Sequence, residues 1–491
     1  MKEAGKLLEP KHCVDVNLVL LKWGAVYPFD DFSSSAWANI LYKCYKIFNV
    51  TLFLFVSVLM PGYFLDKDYS LEEAIEVASI VLTQVRSGMK LMTFVLYRKE
   101  IQNLIKALYK NFYLRGKELD ARESRIVHEA IKNGRTVSIG YFTLVFITVV
   151  SMLLHPLTST STDMNEEGTL NHTAGPHRIL PFKLWFPKWD ATNSPKYEIE
   201  YVGQIMITTL EGWFVGSTDA FSATVMILVG CQFDLLCNSL KNINKDACLK
   251  SGTEAHENRS GSYSKRTVIL DKSSTFRVKA EITGNKSRNN MSDSVCLNKW
   301  DENTFHDTDM DFDWKEDNQR PPTAKFYEQT ERAAITYIKE CIRYHQSLLT
   351  YVADVNKCFS TMFFILFLTA SLLLCLLGFQ VIVVPPKGLK FARVVLHSLC
   401  TVFELAFFCW FGSEVMQKSE NVYQAAYGCE WQNHSTGLKR LICMIIMRAQ
   451  HPAAVQAGFF GDLCLPTYSS LMTNAYSYMA LLRKLNEGDD A

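Results

Sequence analysis

The sequence predicts an all-α, polytopic membrane protein with seven transmembrane helices, a cytoplasmic N-terminus and an extracellular C-terminus. Three observations carry this. The chain of 491 residues is 48% hydrophobic yet 21% charged. Its charges gather between apolar runs of roughly 20 residues, the length that crosses about 30 Å of hydrocarbon. Seven such runs put the termini on opposite sides, and the basic residues fix the direction. The N-terminal segment, 97–135, 240–345 and 412–450 hold 36 Lys and Arg, whereas the alternate segments hold 9. The basic set is expected in the cytoplasm.

Residues 1–37 form a polar cytoplasmic N-terminal segment without an early apolar stretch, so the first span is expected to act as a signal anchor. Transmembrane helices one to four fill 38–244. The first, 38–60, ends at Pro61-Gly62, and the second, 71–96, is weakened by Glu76, Arg86 and Lys90. The third, 137–155, contains the uncharged run IGYFTLVFITVVSMLL, and the fourth covers 201–235. Residues 245–324 are rich in Ser, Asn, Asp and Lys. Such a stretch buries too little surface to offset its ordering entropy and reads as a disordered cytoplasmic insertion. Residues 325–411 carry a cytoplasmic helical extension, then spans five (362–384) and six (391–411). A cytoplasmic anchor segment, 412–458, leads to the seventh helix, 459–485, and an extracellular tail, 486–491. Asn171 opens an Asn-His-Thr sequon in the expected external loop 156–196 and is a glycosylation candidate.

No catalytic motif is present: GxSxG, HExxH, the P-loop and a glycine fingerprint after a strand are all missing. The protein is therefore not read as an enzyme. The 14 cysteines have no zinc-type spacing with histidine, so no metal and no cofactor are expected. His155 and His397 read as interfacial or packing residues. Glu211 and Glu404 stand inside spans, where a charge costs roughly 2.5–3.5 kcal/mol or more. They should face the bundle interior, face a wet vestibule, or be neutral. Surrounding lipid, and no nucleic acid, is the partner that composition implies.

Two stripes near the C-terminus need an explanation. Leu438, Leu441, Ile442, Ile445 and Ile446 recur at helical spacing in a segment too short to span a membrane. That stripe packs either within its own subunit or between subunits. Ser470, Thr473, Asn474 and Ser477 share one helical face, continued by Leu481 and Leu485. Such a face lines a wet pore with a hydrophobic gate, or lets helices pack closely through small residues.

Several short motifs are similar to those of insect odorant receptors. They are YPFD at 27–30, Asp219 followed by Gln232-Phe233, and NVYQAAYGCEW at 421–431. RAQHP at 448–452 and SYMALLR at 477–483 complete the set. The chain resembles that family everywhere but the insertion. Thr467-Tyr468 matches half of the TYxxxxxQF ending of the related gustatory receptors, but Asn474-Ala475 replaces its QF. A long insertion between spans four and five is more typical of the shared co-receptor (Orco). The tail SYMALLRKLNEGDDA instead favours an odour-tuning subunit.

The resemblance implies a ligand-gated cation channel, a heterotetramer with Orco in the plasma membrane of a sensory dendrite. Four copies of the seventh helix would make the pore, with Ser470, Thr473, Asn474 and Ser477 lining it. Leu481 and Leu485 would gate it. Trp431, Leu438, Leu441 and Ile445 would belong to the anchor where subunits meet. A small volatile odorant would bind in the outer half of spans two to six. Candidates there are Val77, Ile80, Phe146, Val150, Leu153, Tyr201, Gln204, Ile205, Leu377 and Phe379. Two rival classes fit less well. A receptor signalling through a G protein would carry DRY after span three and NPxxY in span seven, and a transporter would show internal repeats; the sequence has none of these.

Overall fold

The computed structural model describes residues 14–27, 36–65, 69, 71–111, 120–162, 180–182, 194–243, 266–270, 276–280, 322–383 and 388–489. The helices in chain order are α1 (Asp15–Trp23), α2 (Ala36–Gly62), α3 (Leu71–Leu96), α4 (Arg98–Asn111), α5 (Ala121–Thr162) and α6 (Lys196–Lys241). They continue with α7 (Pro322–Val383), α8 (Gly388–Tyr427), α9 (Thr436–Ala449) and α10 (Leu465–Asp489). The seven predicted spans fall on α2, α3, α5, α6, α7, α8 and α10. Within the insertion, β1 (Arg266–Leu270) pairs antiparallel with β2 (Phe276–Ala280). This pair is extended where the insertion is expected to be disordered, while 245–265, 271–275 and 281–321 lie outside the described residues. Its strands RTVIL and FRVKA carry β-branched and aromatic residues that favour extended backbone. Asn171 lies outside the described residues.

Several spans are far longer than a bilayer requires. α7 has 62 residues, a rod of about 90 Å at 1.5 Å per residue. It joins the predicted cytoplasmic extension to span five without a break. Among the described residues, α2, α5, α6, α7 and α8 are long and apolar enough to cross a membrane. α3 and α10 have the length, with 26 and 25 residues, but carry polar faces that lower their hydropathy. In both helices those residues have specific positions, described below.

α6 is the axis of the bundle. Its residues 216–233 are buried without interruption, and it packs against α1, α5, α7 and α8. Gly216 allows α5 to come close, since a Cβ there would stand 3.1 Å from the Phe142 ring. Phe221, Phe233, Phe359, Phe363 and Phe408 fill the core. α2 is the opposite case. Leu41, Leu54 and Val58 are exposed, as expected of a helix whose outer face meets lipid. α1 is fastened onto this framework by polar contacts. The Asn17 amide donates to Thr224 Oγ1 at 2.9 Å, and the Trp213 indole donates to the Leu20 carbonyl at 3.0 Å.

The last helix starts later than its hydropathy predicts. Phe459 lies in a short 3-10 turn, Gly458–Phe460, between two glycines with positive φ, Gly458 at 53° and Gly461 at 96°. Those conformations break a helix and favour glycine. α10 begins only at Leu465, whose N–H is taken by Ser413 Oγ of α8 at 2.9 Å. Pro466 is tolerated there because the first helical turn has no internal acceptor for its missing N–H.

Candidate functional site

Helices α2, α3, α5, α6 and α8 line a partly open cavity of about 180 Å³ in the half of the bundle toward the α5–α6 connection. Helical spacing puts the lining residues on shared faces. Ile80, Thr83, Gln84 and Ser87 come from α3; Tyr141, Val145, Thr148 and Val149 from α5; Gln204, Ile207, Thr208 and Glu211 from α6. α8 adds His397, Cys400, Thr401, Phe403 and Glu404, and Val56 and Met60 come from α2. The walls are mostly apolar, with a few convergent polar groups, as in small-molecule sites generally. Tyr141 stacks on Phe407, ring centroids 4.5 Å apart, and on Phe403 at 6.3 Å.

The floor is a buried charge network. Lys90 Nζ lies 2.7 Å from Asp219 Oδ1 and 2.8 Å from Glu404 Oε1. Arg86 Nη1 meets Glu404 Oε2 at 2.7 Å. The Tyr141 hydroxyl donates to Asp219 Oδ2 at 2.8 Å. Lys90 is 1% exposed and Asp219 0%. Charges this deep are tolerated only when paired and hydrogen-bonded, because desolvation costs several kcal/mol per ion. The cations that weaken the second span are thus the counterions of carboxylates on two other helices. Glu76 likewise pairs with Arg393 of α8.

Gln204 closes the opposite side. Its Oε1 accepts from the Phe182 N–H at 2.9 Å, and its Nε2 donates to the Phe182 carbonyl at 3.0 Å and to Glu200 at 3.2 Å. Phe182 itself lines the cavity, so this amide clips the segment 180–182 over it. Gln204→Leu removes both backbone bonds at a cost of ~1–2 kcal/mol. The expected result is roughly tenfold faster amide hydrogen exchange at Phe182, whose N–H loses its acceptor.

Of the ten predicted pocket residues, Ile80 and Gln204 line this cavity. Phe146 and Val150 are exposed on the outer surface of α5, 50% and 36%. Leu377 and Phe379 are buried on α7, Leu377 in a separate small cluster with Leu373 and Val394. Val77 is buried off the cavity, and Leu153 supplies a carbonyl to the Tyr201 hydroxyl at 3.1 Å. Ile205 is half-buried and outside the lining set. Glu211 and Glu404 face the interior, as a charge inside a span must. His397, expected as an interfacial or packing residue, places its Nε2 3.4 Å from the Thr83 hydroxyl, on the cavity wall.

The other predicted site is at the C-terminus. α10 buries Leu471 and Ala475 and leaves Ser470, Thr473, Asn474 and Ser477 exposed, together with Leu481 at 55%. The backbone of α10 includes Leu485, whose side chain is outside the described residues. In α9, Leu438 and Ile445 turn inward and are filled by their own subunit, with Ile442 and Ala449. Leu441 and Trp431 are half-buried, and Met444 and Met447 make the outward face. The apolar stripe therefore finds its partners within the chain. Glu331 of α7 fixes the start of α9 by accepting from Ser435 N–H at 2.9 Å and contacting His434 Nδ1 at 2.7 Å.

The cavity and α10 share a neighbour. α8 carries Glu404 at the cavity floor and, two turns on, Gly412. A Cβ on Gly412 would run into the carbonyl oxygen and side chain of Leu463. α8 thus lies directly against the backbone that leads into α10.

The profile of the family described as 7tm Odorant receptor matches residues 70–476. Putative odorant receptor 85d of Drosophila melanogaster is 27% identical over 151 residues, 31% of this chain and 36% of that protein. Odorant receptor 10 of Aedes albopictus is 29% identical over 157 residues, 32% of this chain and 41% of its own length. The matched stretches thus span less than half of these two relatives. The fold matches the insect olfactory receptor OR5 from Machilis hrabei in complex with eugenol, with a TM-score of 0.68, 14% identity, and coverage of 97% of this chain and 98% of that one.

Proposed function

The chain belongs to the 7tm odorant receptor family, and from that premise we propose that it is an odour-tuning subunit of a ligand-gated cation channel. It binds a small, mostly apolar volatile in the cavity between α2, α3, α5, α6 and α8, and opens a non-selective pore together with the odorant receptor co-receptor (Orco). The pore is lined by the Ser470, Thr473, Asn474 and Ser477 face of α10, with Leu481 as gate. The assembly is a heterotetramer in the plasma membrane of a sensory dendrite, with the cavity in the outer half of the bundle.

The observation that carries this reading is the uncovered polar face of α10. Ser470, Thr473 and Ser477 return their hydroxyl donors to carbonyls of their own helix, but the exposed Asn474 amide, turned away from its own bundle, needs water or another protein beside it. A central pore shared by several subunits supplies both. The solved receptor with eugenol supports a small aromatic volatile as the kind of molecule this fold holds.

Magnitudes fit a weak ligand. About 10 heavy atoms at ~0.5 kcal/mol each give about −5 kcal/mol, a dissociation constant near 10⁻⁴ M. Such a ligand shifts only an equilibrium whose states lie a few kcal/mol apart. Co-expression with a co-receptor is expected to give odour-evoked cation current that is absent when either subunit is omitted. Surface-expressed complexes that stay silent across a broad odour panel would overturn the channel reading.

A further inference from the structure

The charges around the cavity do not balance. Arg86 and Lys90 are matched by Glu404 and Asp219 through the contacts of the floor network. With His397 counted neutral, two cations face three carboxylates; the third, Glu211, lines the cavity within the field of Arg86 and Lys90 but makes no direct ion pair with either. Its hydrogen-bonding neighbours, Gln84 and Ser87, are uncharged, with Arg86 and Lys90 acting only through their charge; the Gln84 amide donates to Glu211 Oε2 at 2.7 Å. Two acceptor atoms here are buried with no hydrogen-bond partner: Glu211 Oε1 and the Gln84 side-chain carbonyl. Gln84 is 7% exposed. A buried acceptor left without a donor costs free energy, and an uncompensated carboxylate costs more. Arg86 lines the same cavity, but its guanidinium is committed to Glu404, so the wall at Glu211 presents two open acceptors beside apolar surface from Val56, Ile207 and Val215.

We propose that the cavity selects small volatile amines, bound as ammonium ions against the Glu211 carboxylate and the Gln84 carbonyl, with the hydrocarbon part on the apolar wall. An ammonium group brings several N–H donors and one positive charge on a small head. A neutral alcohol brings one donor and no charge. This rests on the cavity being the odour site, and it names the ligand class. A charge-assisted hydrogen bond is about twice as strong as a neutral one, so an amine should outbind the alcohol of the same shape by roughly tenfold or more.

The test is ligand binding to the purified full-length chain at neutral pH, read by intrinsic tryptophan fluorescence and by thermal shift. The probes are 2-phenylethylamine and 2-phenylethanol, which differ only in the head group. The expected result is at least a tenfold preference for the amine. Glu211→Gln is expected to bring the ratio to within about threefold. Thr208→Phe, which fills the cavity, is expected to abolish binding of both probes. Equal affinities in the wild type, or an amine preference that survives in Glu211→Gln, would overturn the assignment. Binding of both probes that persists in Thr208→Phe would instead overturn the placement of the odour site. Because the readout is binding, a chain that prefers amines yet gives no current separates this inference from the channel reading.

Discussion

Replacing Lys90 with methionine is expected to destabilise the folded bundle by about 3–5 kcal/mol. Lys90 is the single cation between Asp219 and Glu404, within 2.8 Å of each. Methionine keeps much of the volume and removes the charge. Asp219 is then left with only the Tyr141 hydroxyl, and Glu404 with Arg86. An unpaired carboxylate at 0% exposure cannot recruit water without opening the helix interfaces. The loss should appear as a large drop in thermal stability of the detergent-solubilised chain and in surface expression. Adding Asp219→Asn removes the stranded charge and should recover part of the loss, a coupling that a double-mutant cycle measures. Normal stability of the Lys90→Met chain would mean that the network does not hold α3 to α6 and α8.

Leu481→Ser is expected to raise ligand-free current by about tenfold, equivalent to 1.4 kcal/mol in favour of the open pore. Leu481 is 55% exposed in a single subunit, on the helix whose polar face is uncovered. Set around a shared axis with the co-receptor's helices, the Leu481 side chains of this subunit would form part of a constriction that closes by expelling water. A hydroxyl in place of each isobutyl group keeps the constriction wet. Whole-cell recording of the co-expressed complex without odorant checks this, normalised to surface protein. Unchanged basal current at equal surface density would remove Leu481 from the gate.

Much of the architecture was legible because its signals are local. Apolar runs of membrane length located the spans on α2, α5, α6, α7 and α8, and the helical spacing of 438–449 anticipated α9. Segment 459–464 was misread because hydropathy sees two phenylalanines, whereas the backbone there is set by Gly458 and Gly461. The cavity was harder to read. Phe146 and Val150 satisfy every expectation for an odour contact, yet their faces of α5 point outward, and rotation about a helix axis is fixed by neighbours far away in sequence. The charges told more than they seemed to. Arg86, Lys90 and Glu76 looked like interruptions of a span, and Glu211 and Glu404 like isolated costs. All five lie on facing helices, and hydrophobic periodicity carries no information on which cation meets which carboxylate.

α8 runs from the cavity floor to the step before α10 as one uninterrupted helix, Gly388–Tyr427. Glu404 and Gly412 are about 12 Å apart along it, and Gly412 has no side chain to cushion its contact with Leu463. A rod this short is stiff, so a tilt at one end is a displacement at the other. If the proposed channel opens through this rod, the coupling runs in both directions. In the proposed channel, whatever holds the α10 pore open would tighten the grip on a ligand in the cavity, and a molecule that blocks only the open path would lengthen that ligand's stay.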